Sequence, residues 1–243
     1  MNMTAPIRRV FCALDTTDLA WARSMGSGLA PKIGGLKLGL EFYGAHGPAG
    51  VRQVAEATQA KIFLDLKLHD IPNQVAGAVR SIVASCRPYL LTLHASGGRA
   101  MMESARDAAA DTAVKLGVER PRLLAVTVLT SLDDGDLADV GQKGPALDQV
   151  KRLADLTRKA GLDGVVCSAE ESAALRAAHG PDFLLVVPGI RMAAAGDDQK
   201  RVVTPAEAVR RGASYIVIGR PITQAKDPGN AVDEIARHMT EAA

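Results

Sequence analysis

Short runs rich in Val, Ile and Leu recur along the chain roughly every thirty residues, and this spacing constrains the fold more than any other feature. VFCALD, GGLKLGL, KIFLDLK, YLLTLHA, LLAVTVLT, GVVCS, FLLVVPGI and YIVIG make eight candidate strands. Between them, Ala-rich stretches with helical periodicity cover residues 18–30, 48–60, 72–86, 98–117, 146–160 and 228–240. Ser168 with Glu171, and Thr204 with Pro205 and Glu207, read as capping boxes that open two further helices. The strands are almost continuously apolar, as in a parallel sheet covered on both faces. Eight such units predict an α/β fold, a single (β/α)8 TIM barrel. A doubly wound sheet would alternate in the same way, but no GxGxxG turn follows the first strand to mark a dinucleotide site. With 243 residues, the usual length of one barrel, the chain is expected to form one catalytic domain over 1–243.

Charge and cysteine content narrow the function classes. The 29 basic and 27 acidic side chains leave a net charge of +2 with no basic run, which gives no compositional support for nucleic acid or an anionic membrane as partner. Cys12, Cys86 and Cys167 form no CxxC pair or metal-like cluster, and their odd number argues against a disulfide framework. The start MNMTAPIRRVF carries no apolar signal segment, so a cytoplasmic protein is expected.

In a barrel the chemistry comes from the C-terminal ends of strands and the loops after them. Asp15, Lys37, Asp65, Lys67, His94 and Arg220 all fall at or just beyond such ends. In FLDLKLHDIPN, Asp65 and Lys67 are two residues apart and are expected on one face of the third strand. A charged pair in so apolar a strand is costly unless its members are paired. The alternative is a salt bridge that only closes the barrel. Asp70 either reaches across a subunit interface or serves as a helix cap before Pro72. Lys37 in an apolar strand calls for a carboxylate partner, and Asp15 also fits a plain turn residue. His94 reads as a core imidazole. The remaining histidines fit no metal-ligand spacing, so no metal is expected.

IVIGRPIT places Gly219 and Arg220 directly after the eighth strand, where barrels often bind phosphate. The preceding loop, PGIRMAAAGDDQKR, is long, small-residue-rich and bounded by Arg191 and Arg201, and is expected to close on a ligand. Together the two segments favour a phosphorylated substrate.

DLKLHDIPN, LTLHASGG, PGIR followed by GDDQKR, and IGRPIT, in this order across nearly the whole chain, resemble the bacterial orotidine 5′-phosphate decarboxylases. DxKxxD alone is shared with phosphosugar decarboxylases and aldol-type lyases on the same barrel; the other segments narrow the match. The resemblance implies a Lys-Asp-Lys-Asp network of Lys37, Asp65, Lys67 and Asp70, with Asp70 supplied by the second subunit of a homodimer. It makes Lys67 the proton donor to C6 of the pyrimidine and puts Asp65 beside the scissile carboxylate. Asp15 and Lys37 would hold ribose hydroxyls, and Thr130 would meet the pyrimidine edge. Arg191, Gln199, Gly219 and Arg220 would bind phosphate, and Ile71 and Pro188 complete the substrate-binding set. The partner implied is a small nucleotide, and no cofactor is implied. One departure stands out: Gln74 follows Asn73 where the family ordinarily has threonine.

No cofactor able to act as electron sink is signalled, so a C6 carbanion would have to be stabilised by charge. The nearest rival is a magnesium-dependent phosphosugar decarboxylase or lyase, which would need further carboxylates near Asp65, Glu41 being the nearest candidate. A non-catalytic nucleotide-binding barrel is the other rival.

Overall fold

The structure is a computed structural model that describes residues 5–192 and 203–241. The strands are β1 (Val10–Ala13), β2 (Gly35–Gly39), β3 (Ile62–Leu68), β4 (Leu90–His94), β5 (Arg122–Val126), β6 (Gly164–Val166), β7 (Leu184–Val187) and β8 (Tyr215–Ile218). Each pairs in parallel with the next, and β8 pairs with β1, closing the expected eight-stranded barrel. The helices are α1 (Leu19–Leu29), α2 (Leu40–Thr58), α3 (Pro72–Cys86), α4 (Arg99–Leu116), α5 (Asp134–Asp139), α6 (Ala146–Lys159), α7 (Ala169–His179), α8 (Pro205–Arg210), α9 (Arg220–Thr223) and α10 (Pro228–Glu241). Among the described residues no helix is long and apolar enough to cross a membrane.

Local chemistry explains several helix ends. Asp18 caps α1 by accepting the Trp21 amide at 2.9 Å. Pro72 occupies the first turn of α3, where its missing N–H costs nothing. The Ser168 amide donates to Glu171 at 2.7 Å, as a capping box requires. Thr204 accepts the Glu207 amide at 3.3 Å, but the Glu207 carboxylate turns to Arg211 at 2.6 Å. Gly117 ends α4 at φ 61°, a left-handed position that favours glycine. The helix expected over 48–60 begins earlier, at Leu40, and is kinked at Gly47 (φ 55°) and Pro48. The first arm was hidden because its glycines read as loop.

The barrel has two apolar layers. Leu, Val and Ile on the outer strand faces pack against the helices in one continuous core. Inside, Phe11, Phe63, Leu90, Leu124, Val186 and Val217 fill the lumen. Phe11 meets Phe63 edge to face at 5.9 Å and Tyr215 likewise at 5.3 Å. Gly35 makes room for this plug, since a Cβ there would lie 2.4 Å from the Phe11 ring and 2.5 Å from the Lys61 carbonyl oxygen.

One strand departs from regularity. Between β3 and β4 the register runs Leu64 to Leu91 and then Leu68 to Leu93, so four steps on β3 match two on β4. Lys67, inside this bulge, has φ 51°, a left-handed conformation uncommon for a side chain of its size.

Candidate active site

At the C-terminal mouth of the barrel a cavity of about 360 Å³ opens over the Phe63 end of the apolar plug, within the size range of small-molecule sites. Ala13, Val126, Val166, Val186 and Val217 form its apolar floor. Asp15, Lys37, Asp65 and Lys67 line the side built by β1 to β3. Thr130, Pro188, Arg191, Gly219 and Arg220 line the opposite side, after β5, β7 and β8. Nine residues singled out in the sequence therefore meet in one cavity.

The charged side chains form a chain of contacts. Lys67 Nζ donates to Asp65 Oδ2 at 2.8 Å, Lys37 Nζ stands 4.0 Å from the same oxygen, and Lys37 also donates to Asp15 at 3.0 Å. The side chains of Asp65 and Lys37 are only 14% and 12% exposed, and their nearest opposite charges are Lys67 and Asp15 respectively. The alternation expected for β3 holds despite the bulge: Leu64 and Leu66 pack in the outer core, while Asp65 and Lys67 share the cavity. The backbone of Lys67 is left-handed within the bulge, and its ammonium meets Asp65.

Not every residue singled out joins this cluster. Asp70 and Ile71 are exposed and do not line the cavity; Ile71 is 63% exposed. Asp70 is not the cap of α3. That position belongs to Ile71, whose amide donates to the Asp70 carboxylate at 2.6 Å. Thr130 lies beyond the end of β5 at Val126 rather than on the strand. Gln199, Arg201 and most of the expected closing loop fall outside the described residues, while the Arg191 amide reaches the Val203 carbonyl at 3.4 Å across its base. Glu41, the acid that a metal beside Asp65 would have needed, is exposed on α2 and does not line the cavity. Among the described residues no three His, Cys, Asp or Glu side chains converge as a metal site.

The sequence profile of the orotidine 5′-phosphate decarboxylase / HUMPS family matches residues 8–235. The chain belongs to this family. Orotidine 5′-phosphate decarboxylase of Rhodospirillum rubrum is 56% identical over 93% of this chain and 92% of its own. That of Paramagnetospirillum magneticum is 51% identical over 96% and 99%. The crystal structure of the Lactobacillus acidophilus orotidine 5′-phosphate decarboxylase superposes with a TM-score of 0.83 at 37% identity, covering 96% of this chain and 99% of that one. The family expected from the four sequence motifs is thus the family found.

For this member of the decarboxylase / HUMPS family, the sequence reading passed over Thr92. This side chain on β4 is fully buried, accepts the Lys67 amide at 2.9 Å and donates to Asp65 Oδ1 at 2.8 Å. It therefore ties the strained lysine backbone to the carboxylate that holds the lysine side chain. His94 is half-buried with its ring 5.4 Å from that of His69. Burial, then the neighbouring His69 and Lys67, lower its pKa, which favours the neutral imidazole. Cys167 also lines the cavity, but burial pushes its thiol up to about 12, so it supplies no thiolate.

Proposed function

We propose that this chain is a carboxy-lyase that converts orotidine 5′-phosphate to UMP and CO₂, the last step of de novo pyrimidine nucleotide synthesis. The observation that carries this reading is Lys67 Nζ, bonded to Asp65 at 2.8 Å, in a cavity whose far side holds Arg191 and Arg220. The names of the relatives support the choice of substrate.

The two arginines take the phosphate, with Gly219 beside them, and the ring lies over the apolar floor. Asp15 and Lys37 meet the ribose, and Thr130 and Pro188 border the ring. The bond from C6 to the carboxylate breaks, its electron pair stays on C6, and CO₂ leaves. Lys67 Nζ stabilises that pair by charge and gives C6 a proton, then regains one from water. Asp65 fixes where the Nζ stands. Binding energy from the remote phosphate holds the ring against Lys67 and is expressed in the transition state.

The working unit is a homodimer in which the partner subunit's Asp70 completes the network. Two observations support this. Asp70 makes no ion pair among the described residues, and the apolar side chains Leu40 and Ile71 are 60% and 63% exposed. Three free, buried cysteines fit a reducing cytoplasm. The decisive experiment follows the loss of orotidine 5′-phosphate absorbance with purified protein. Turnover that vanishes in Lys67→Ala while UMP still binds is expected; no turnover by the unaltered chain would end this reading.

A further inference from the structure

The other end of the barrel is hollow as well. A cavity of about 980 Å³ opens at the N-terminal mouth, and among the described residues its charged lining consists of Arg8, Arg9, Lys61 and Arg176, with no acid. These cations divide by partner. Arg8 donates to the carbonyls of Ile33 and Pro31 at 2.6 and 2.8 Å. Arg176 donates to the carbonyls of Gly212 and Phe183 and to Ser214 Oγ, at 2.7 to 3.1 Å. Both hold the loops of this mouth together, the stabilising role usual for this face of a barrel.

Arg9 and Lys61 do no such work. Both are exposed, Arg9 makes no hydrogen bond or ion pair among the described residues, and Lys61 Nζ has only the face of Tyr89, 4.3 Å from the ring centre. Between them the hydroxyls of Tyr89 and Tyr215 lie 2.8 Å apart. One donates to the other, which leaves one O–H to donate outward. Burial, and then its bond to Tyr89, raise the Tyr215 pKa. A concave site with uncommitted cations around a free hydroxyl donor has the chemistry of oxyanion recognition.

We propose that the N-terminal mouth is a second anion site, which takes the phosphate group of a small molecule on Arg9, Lys61 and the Tyr89–Tyr215 hydroxyl pair. The plug of the barrel separates it from the catalytic cavity: Phe11 lines the lower cavity, Phe63 the upper one, and the two rings touch. Occupancy here is independent of the decarboxylase reading.

Calorimetric titration with inorganic pyrophosphate tests the proposal. Arg220→Ala protein, with its upper phosphate grip weakened, is expected still to bind one equivalent. Adding Arg9→Ser and Lys61→Ser should weaken that binding about tenfold or more, the loss expected for two charged hydrogen bonds. The Arg9→Ser, Lys61→Ser pair in the otherwise unaltered chain should leave UMP affinity unchanged. Binding of equal strength with and without that pair, or no pyrophosphate bound by the Arg220→Ala protein, overturns the proposal.

Discussion

Replacing Thr92 by valine removes a single oxygen and tests how the catalytic lysine is held. The hydroxyl accepts the Lys67 amide at 2.9 Å and donates to Asp65 at 2.8 Å, and valine can do neither. Leaving a buried amide without an acceptor costs about 1–3 kcal/mol, and a lost bond to a charged group is of similar size. The losses overlap, because Lys67 relaxes from a left-handed backbone that itself stores about 1–3 kcal/mol. A net destabilisation of about 2 kcal/mol is expected, which for a chain of this length lowers the melting temperature by about 4–8 °C. The larger effect falls on catalysis: relaxation at Lys67 moves Nζ, and a displacement near 1 Å costs about a hundredfold in kcat. KM and UMP affinity should change little, since Arg191 and Arg220 lie across the cavity. Thr92→Ser keeps the oxygen and should recover most of the rate. Steady-state absorbance assays, UMP calorimetry and thermal melts give all three readouts. If Thr92→Val turns over within about threefold of the unaltered protein, or Thr92→Ser is no better than valine, the hydroxyl does not position the lysine.

Arg220→Ala should lower kcat/KM for the phosphorylated substrate by about tenfold to a hundredfold, one charged hydrogen bond's worth, without affecting the nucleoside that lacks phosphate. Equal losses for both compounds would remove Arg220 from the phosphate grip. Mixing inactive Lys67→Ala and Asp70→Asn proteins should restore about a quarter of full activity, because half of the dimers then carry one intact site of two; a mixture that stays inactive would refute the shared site. His94 has a folded pKa below its ordinary 6.5, owing first to burial and then to His69. The unfolded chain therefore takes up the proton first, so this contribution to stability is complete above 6.5 and is lost progressively as the pH falls from that value through the lower folded one. Thermal melts across this range should fall more steeply for the unaltered protein than for His94→Gln, and equal slopes would show that His94 is not the titrating group.

The barrel was legible because parallel strands buried on both faces leave continuous apolar runs, and β1, β4 and β5 stand where VFCALD, YLLTLHA and LLAVTVLT put them. The site was legible because charge inside such runs is expensive: Lys37, Asp65 and Lys67 stood out for that reason. What escaped was whatever leaves no periodic trace. The arm of α2 before Gly47 contains Gly44 and reads as loop, and α5 and α9 are too short for helical periodicity. Thr92 was hidden because threonine in a strand looks like an ordinary strand former, and its role exists only where β3 and β4 meet. The bulge likewise depends on pairing between two strands, which one strand's sequence does not display.

That bulge bears on how the site could be transplanted. Grafting the charged residues alone onto another barrel would reproduce the composition and leave out both the bulge that carries Lys67 and the Thr92 hydroxyl that accepts its amide. The portable unit is the β3–β4 pair with its two surplus residues and Thr92. The same dependence makes β3 sensitive to length: deleting Leu66 would make Asp65 and Lys67 neighbours and turn them to opposite faces of the strand.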